Sequence, residues 1–504
     1  MSTTPGSRDT APAEQRPAGI LVPLVRLLVG PLAFAVVYFL VPLEGLEPRG
    51  RLTLATFVWM AVWWIAEPIP WAITCLLPLV LLPLFGIMRI EAVAALYGQN
   101  IFFWIWGTTL LGYAMEKHGL ARRIALWFLS QRGVANSTGR LTFMYMLGAA
   151  CMSSVVSDAA VVAMMMPIGV SLFAYVRQTT GAGSTGKSPL AAFLALGTLY
   201  GSQAGGVATI AGIPHNAVSV SLLQKLDGRV LGFFEWMMVG VPLMLLLLVA
   251  FYFFLRFFFP PEVASIPGGE AFVRTERQQL GPLSRGERNV LIGFVVMVVL
   301  FIGPSLVGLV LGEAHPLAAS LRAGLPIWIV PPVVLLVLYL LPVDFRRGEA
   351  TLTWADSAKQ APWNIMLLCA AAVGMADALG QFGFMEFMRG HLAAVPMSAT
   401  ALPYAAGTAV AFLTNVLSGL AATAVLANVF IPLAADVGFN PASMAMLVPN
   451  VAIGLMFPWS GATAGTAFAS GYIELRDMIR VGFFATLLLV IIAGTVHLLF
   501  SGIL

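Results

Sequence analysis

The sequence predicts an all-α polytopic membrane protein, with about 11 transmembrane helices and two re-entrant hairpins arranged as two inverted repeats. Three observations carry this. Hydrophobic residues make up 59% of the 504-residue chain and charged residues 10%, and the mean hydropathy is +0.91, a balance that a water-soluble globule cannot hide. Apolar stretches long enough to cross a hydrocarbon core recur along nearly the whole chain, among them Leu21–Val41, Trp236–Phe258, Val290–Val310, Ile327–Leu341 and Gly482–Leu499. A small polar cluster followed by an apolar segment interrupted by Gly or Pro occurs once in each half.

Residues 1–17 are polar and rich in Ser, Thr, Pro and Ala, and the apolar span after them is too long for a cleaved signal core, so they read as a disordered cytoplasmic tail. Residues 18–258 form a first repeat. Its re-entrant hairpin is expected at 97–119, where Asn100–Gly119 is apolar with a central Gly107 and a polar end. Its broken helix is expected around 211–216, at Ala211-Gly212-Ile213-Pro214-His215-Asn216. A polar linker, 259–288, carries Pro260, Pro261, Gly268, Gly269, Gly281 and Pro282. The second repeat, 289–504, has the same layout, with a hairpin expected at 360–384 (Asn364–Gly383) and a broken helix around 458–465. Basic residues cluster in Arg122–Arg140 and Arg256–Arg288, which places both stretches in the cytoplasm. Cys75, Cys151 and Cys369 lie apart in apolar segments and suggest neither disulfides nor a metal site. There is no phosphate-binding Gly-Lys-Ser/Thr loop, no His-Glu-x-x-His helix and no Gly-x-Ser-x-Gly elbow, so the chain reads as a secondary transporter rather than an enzyme or an ATP-driven pump. No nucleic-acid partner is expected.

The chemistry concentrates at the polar clusters and the breaks. Backbone groups freed by a Gly/Pro break at membrane depth must line an enclosed or watered cavity. Ser153 with Ser157, and Thr414 with Ser418, are spaced i, i+4, which places each pair on one helical face. Such hydroxyls, with freed carbonyls near Gly212 and Ala462, suit a small monovalent cation, and freed N–H groups suit an anion. A single pair of this kind is better explained by back-bonding to the i−4 carbonyl or by close helix packing; its recurrence in both halves, each followed by a broken helix, points to function. Asp158 is a carboxylate in a membrane segment, which marks a functional position, and it also suits an N-cap of a helix Ala159–Tyr175. His215 fits a substrate donor, a titrating group or a polar filler of the break, and Asn216 a ligand or a backbone clamp. Glu67 reads as fixing a scaffold turn. Glu116, Lys117 and Asp377 read as solvated charges.

Specific stretches, in order, resemble the divalent anion–sodium symporters, the family that carries dicarboxylates, citrate and sulfate. They are Trp63–Pro70, Ala114–Leu126 (AMEKHGLARRIAL), Met164–Pro167, Gly205–Ala217 (GGVATIAGIPHNA), Leu280–Arg288 (LGPLSRGER), Phe468–Gly471 and Asp477-Met478. The resemblance covers nearly the whole chain after the tail. It implies a homodimer in the cytoplasmic (inner) membrane, a multi-pass protein in which a transport domain moves like an elevator against a fixed scaffold. Sodium is the implied coupling ion, with no organic cofactor. By position, the first sodium site takes Ser153, Ser157, Asp158 and the backbone near Gly212, and the second takes Thr414, Ser418 and the backbone near Gly419 and Ala462.

The family's two Ser-Asn-Thr signatures hold substrate carboxylates through Asn and Thr. Here they stand as Ser157-Asp158-Ala159 and Ser418-Gly419-Leu420. The family's Thr-Pro-Pro-Asn break is Ile213-Pro214-His215-Asn216 in the first copy and Gly461-Ala462-Thr463-Ala464 in the second. The substrate-facing positions are therefore Asp158, Ala159, Ile213, Pro214, His215, Asn216, Gly419, Leu420 and Thr463. Two like charges about 4 Å apart repel by roughly 4 kcal/mol at an effective dielectric near 20, so an ionised Asp158 beside a dianion needs a neutralising partner. Asp158 is expected to ligate the first cation. The substrate is expected to be a small organic (carboxylate-type) or sulfur-containing anion, less charged or more apolar than succinate, the apolar part being motivated by Leu420 and Trp459. The alternatives are a symporter coupled to protons through Asp158 or His215, and a passive uniporter or channel.

Overall fold

The computed structural model describes residues 21–181, 188–312, 315–384, 387, 397–415 and 418–504; the tail 1–17 lies outside them. The described chain is helical apart from a two-stranded antiparallel ribbon, Pro342–Asp344 with Glu349–Ala350. Among the described residues six helices are long and apolar enough to cross a membrane, from Asp158–Thr180 to Leu475–Phe500. A seventh span results if Pro316–Gly324 and Ile327–Leu340, which meet at 49°, count as one. Many other apolar stretches are divided into shorter helices.

Ten helices form the core. In the first repeat they are α1 (Thr138–Ser153), α2 (Asp158–Thr180), α3 (Pro189–Gly206), α4 (Pro214–Leu226) and α5 (Phe233–Phe258). In the second they are α6 (Leu402–Thr414), α7 (Gly419–Asp436), α8 (Pro441–Val451), α9 (Ala462–Ala469) and α10 (Leu475–Phe500). The packing repeats element by element. α1 and α2 pack on each other and on α3, as α6 and α7 do on each other and on α8. α3 packs on α5 and α8 on α10. The outer halves are exchanged: α4 packs on α7 and α9 packs on α2. Because α3 also meets α9 and α4 meets α8, the two broken helices lie antiparallel side by side, the arrangement of an inverted repeat.

The hairpins fall elsewhere than the sequence suggests. Asn100–Lys117 is one continuous helix, as is Trp363–Gln381, so neither 97–119 nor 360–384 is re-entrant. Their small residues serve close packing instead of turning the chain. A Cβ on Gly107 would lie 2.6 Å from Pro331 Cβ, and one on Gly374 would lie 3.0 Å from Leu96 Cβ. The helical hairpins are α1–α2 and α6–α7, and the serine-bearing clusters are their tips.

This also corrects the hydroxyl geometry. Ser153 ends α1 and Ser157 is the N-cap of α2; Thr414 ends α6 and Ser418 is the N-cap of α7. Each pair therefore straddles a tip and shares no helical face, because the chain reverses between its members. Likewise Asp158 is the first residue of α2, one place after the cap.

The scaffold charges are held by partners. Lys117 Nζ lies 2.8 Å from Asp356 Oδ2, and Lys225 Nζ lies 3.6 Å from Asp377 Oδ1, while Glu116 is exposed. Against the penalty of partial burial, hydrogen bonds from Lys117 and from the Thr353 N–H and hydroxyl hold the Asp356 carboxyl at about 2. Glu67 sits at the C-cap of Pro48–Ala66 with φ 45°, a left-handed turn closed by its N–H to Trp63 O. Arg123 anchors the linker. It donates to Glu287 at 2.6 and 3.0 Å and to the carbonyls of Leu280, Gly281 and Pro282.

Candidate functional site

The tips of both hairpins meet the breaks of both interrupted helices. The first break runs from residue 207 to 213 and the second from 452 to 461, the latter containing one short turn, Pro458–Ser460. Proline opens α4 at Pro214, where its missing N–H costs nothing. Freed carbonyls and N–H groups of each break are then claimed by specific donors and acceptors, as burial requires.

At the first break Asn216 Nδ2 donates to Gly206 O at 2.9 Å and to Thr209 O at 2.8 Å. Thr209 Oγ1 reaches across to Ser154 O on the hairpin tip, and Trp236 Nε1 of α5 takes Val207 O at 2.9 Å. At the second break Asn415, the residue after α6, accepts from Leu455 N at 3.2 Å and from Met456 N at 2.8 Å. In both repeats the residue just after the first hairpin arm thus ties the tip to the break. A glycine in the following helix completes the match: a Cβ on Gly240 of α5 would lie 2.6 Å from Val207 O, and one on Gly482 of α10 would lie 2.3 Å from Leu455 O.

Asn415→Ala is expected to strand two backbone donors in the second break, Leu455 N buried and Met456 N partly so. Each costs about 1–3 kcal/mol, so the melting temperature of the purified protein should fall by several degrees, and melting curves in detergent check this.

Around the first tip the structure gathers Ser153, Asp158, Ser202 and Gly206. Ser202 Oγ donates to Asp158 O at 3.0 Å and lies 3.4 Å from Ser153 Oγ. Gly212 packs on Gly206, where a Cβ would meet the Gly206 carbonyl at 2.4 Å, and Ser153 Oγ lies 3.7 Å from where a Cβ on Gly206 would stand. Asp158 is buried; its Oδ1 accepts from Ala159 N at 2.8 Å, and among the described residues no Lys, Arg or His pairs with it. Ser157 and Ala159 are half-buried beside it, and Ser157 makes no side-chain cap.

The second tip is poorer in side-chain ligands. Thr414 Oγ1 donates back to Val410 O at 2.8 Å, and Ser418, exposed, accepts from Ala421 N at 3.3 Å as a cap. Gly419 lies directly on the second break, since a Cβ there would be 2.1 Å from Ala452 O. Leu420 is buried, Ala462 is exposed, and Trp459 is 64% exposed and stacks on Phe457, away from the buried centre. Residues 416 and 417 lie outside the described residues.

Between the tips the broken helices exchange contacts. His215 lies against Gly419, its Cε1 3.4 Å from where a Cβ would stand. Gln203 Nε2 of α3 donates to Thr463 Oγ1 of α9 at 2.9 Å. Ile213 is fully buried and Pro214 half-buried at the start of α4. Three buried polar atoms in this stretch have no partner among the described residues: Gln203 Oε1, His215 Nε2 and Asn216 Oδ1. Buried polar atoms are rarely left so, which makes these three candidates to face a ligand, an ion or water.

Sequence reasoning missed Ser202, Gln203, Thr209 and Asn415. Ser202 and Gln203 are adjacent polar residues in an apolar run of α3, and that interruption was the available signal.

The sequence profile of the sodium:sulfate symporter transmembrane region matches residues 23–504. The sodium-dependent dicarboxylate transporter SdcS of Staphylococcus saprophyticus is 28% identical over 478 residues, covering 93% of this chain and 89% of that protein. SdcS of Staphylococcus aureus is 28% identical over 477 residues with the same coverage. The crystal structure of the Alcanivorax borkumensis YdaH transporter, described as having an unusual topology, superposes with a TM-score of 0.58 at 14% identity, covering 90% of this chain and 98% of that one. At that identity the likeness concerns the fold alone.

Proposed function

Because this chain belongs to the sodium:sulfate symporter transmembrane family, we propose that it is a sodium-coupled symporter of a small organic anion, with substrate bound between the two hairpin tips. The relatives are transporters, and the chain is a multi-pass membrane protein rather than an enzyme. The observation that carries the site assignment is the buried set around one break: Gln203 Oε1, His215 Nε2 and Asn216 Oδ1, which have no hydrogen-bond partner among the described residues, and Asp158, which has no basic partner there. In this reading Ser153, Asp158, Ser202 and the backbone near Gly206 and Gly212 hold the first sodium ion. Ser157 and Ala159 flank it. A second ion would rest mainly on backbone oxygens near Gly419 and Ala462, with Thr414 and Ser418 at its edge.

The substrate faces His215, Asn216, Gly419, Leu420 and Thr463. The second tip offers it backbone and an apolar surface, because Gly419 has no room for a side chain and Leu420 has no polar atom. That composition favours an anion with one carboxylate, or one sulfur oxyanion, and an apolar body. The ten core helices pack extensively on one another, which suits their moving as a unit, and the family resemblance implies an elevator motion of such a unit in a homodimer.

Uptake into proteoliposomes tests the reading. A sodium gradient at fixed pH should drive saturable accumulation, with monocarboxylates or sulfonates of three to six carbons preferred over succinate. Accumulation driven by a pH gradient without sodium would replace sodium with protons as the coupling ion. Uptake that never exceeds equilibrium would make the protein a uniporter.

A further inference from the structure

An arginine-lined cavity lies outside the proposed transport centre, at the end of the core where the first hairpin meets the linker. Here the loop before α1 pairs with the linker: Thr138 N donates to Ala264 O at 3.1 Å and Ile266 N donates to Asn136 O at 3.1 Å. Next to that junction is a cavity of about 550 Å³, lined by Gln131, Ser137, Tyr252 and three arginines, Arg132, Arg140 and Arg256.

The arginines are exposed and none has a carboxylate partner among the described residues. Of the nearby acids, Glu270 stands beside Arg132, where it accepts from Gly133 N, whereas Glu262 accepts from Leu190 N and Glu276 pairs with Arg122. Arg256 Nη1 donates to the Tyr252 hydroxyl at 3.0 Å, and that hydroxyl donates to Gly139 O at 3.0 Å, so one guanidinium is fixed over the first turn of α1. Gly139 makes this approach possible, since a Cβ there would stand 2.6 Å from Arg256 Nη1. The charge sits at the end of a membrane-spanning helix. One turn and less away, Phe253 and Phe257 are 63% and 79% exposed, and Trp127 on the neighbouring helix Leu120–Leu129 is 50% exposed. Unpaired arginines at the rim of an apolar, aromatic surface match a phosphate joined to acyl chains, and basic clusters of this kind belong to the cytoplasmic side.

We propose that Arg132, Arg140 and Arg256 form a site for the phosphate of an anionic phospholipid of the cytoplasmic leaflet, with its acyl chains along Phe253 and Phe257. Two of the arginines lie on core helices and one on the loop that ties the core to the linker, so the lipid would bridge the junction between them. The site is independent of the sodium and substrate assignments.

Native mass spectrometry of the full-length protein, delipidated and then titrated with phosphatidylglycerol or phosphatidylcholine, tests it. Phosphatidylglycerol should bind in preference. The triple variant Arg132→Ala/Arg140→Ala/Arg256→Ala should bind it on the order of a hundredfold more weakly, and the triple Lys variant should retain most of the affinity. Monodisperse elution of the Ala variant excludes misfolding as the cause. If elution fails, single Arg→Ala variants should each weaken binding. Inorganic phosphate and glycerol phosphate form the second arm. If they compete fully at millimolar concentration, the site is one for soluble phosphate esters and the lipid assignment falls. Equal binding of the two lipids, or no loss in the Ala variants, would overturn the site itself.

Discussion

Asp158→Asn is expected to abolish sodium-driven accumulation while leaving a folded protein. The carboxylate is buried at the start of α2 with no basic partner among the described residues, and an isolated charge at that depth is stable only with a counter-charge. Ser202 donates to the Asp158 backbone carbonyl and lies near the Ser153 hydroxyl, so in the proposed reading a cation bound among these oxygens supplies the counter-charge. The amide is isosteric and keeps the acceptor for Ala159 N–H, so the fold loses little. The cation loses its one formal negative ligand. Breaking a buried charge interaction costs about 3 kcal/mol or more, so uptake under a sodium gradient should fall on the order of a hundredfold. The sodium-dependent rise in melting temperature, which reports binding to the native state, should disappear as well. Unchanged sodium dependence in both assays would remove Asp158 from the cation site.

Gly419→Ala should be nearly as damaging through shape alone. The added methyl would meet the Ala452 carbonyl oxygen at 2.1 Å, and both partners are backbone. Neither can rotate away as a side chain would. Either the second tip lifts from its break or the break itself shifts, at a cost of typically 1–3 kcal/mol for overpacking. The tip's contact with His215 would be displaced at the same time. The expected result is a lower melting temperature together with loss of uptake, whereas Leu420→Ala, which trims a buried side chain next to it, should retain transport with an altered preference for apolar anions. Normal uptake and stability in Gly419→Ala would show that the tip opens freely in the working protein.

The sequence displayed the place of this site better than its construction. Tip and break were legible because serine, aspartate, glycine and proline stand out in apolar segments, and a break such as that before Pro214 has few other uses in hydrocarbon. Gly107 and Gly374 carried the opposite lesson. A glycine that permits close helix packing and one that permits a turn look identical in a string of letters, and here Pro331 and Leu96, distant in sequence, decide the difference. The spacing of Ser153 to Ser157 misled in the same way: i, i+4 means one face only if the helix continues, and the chain reverses in between. Asn415 could not be singled out, because the N–H groups that donate to it, of Leu455 and Met456, lie forty residues on in the unwound segment and are marked by no unusual residue.

The exchange of outer halves between the repeats also bears on biogenesis. α4 leaves the ribosome early, yet the surface it packs against, α7, begins only at Gly419. At about 5–20 residues per second, on the order of ten to forty seconds pass before that surface exists. During that interval the short helix Pro214–Leu226, with His215 and Asn216 at its start, has to be sheltered by the insertion machinery or by provisional neighbours. Neither half of the chain can complete its own centre, so a ribosome that stalls in the linker leaves a product with nothing to bury its most polar membrane segment.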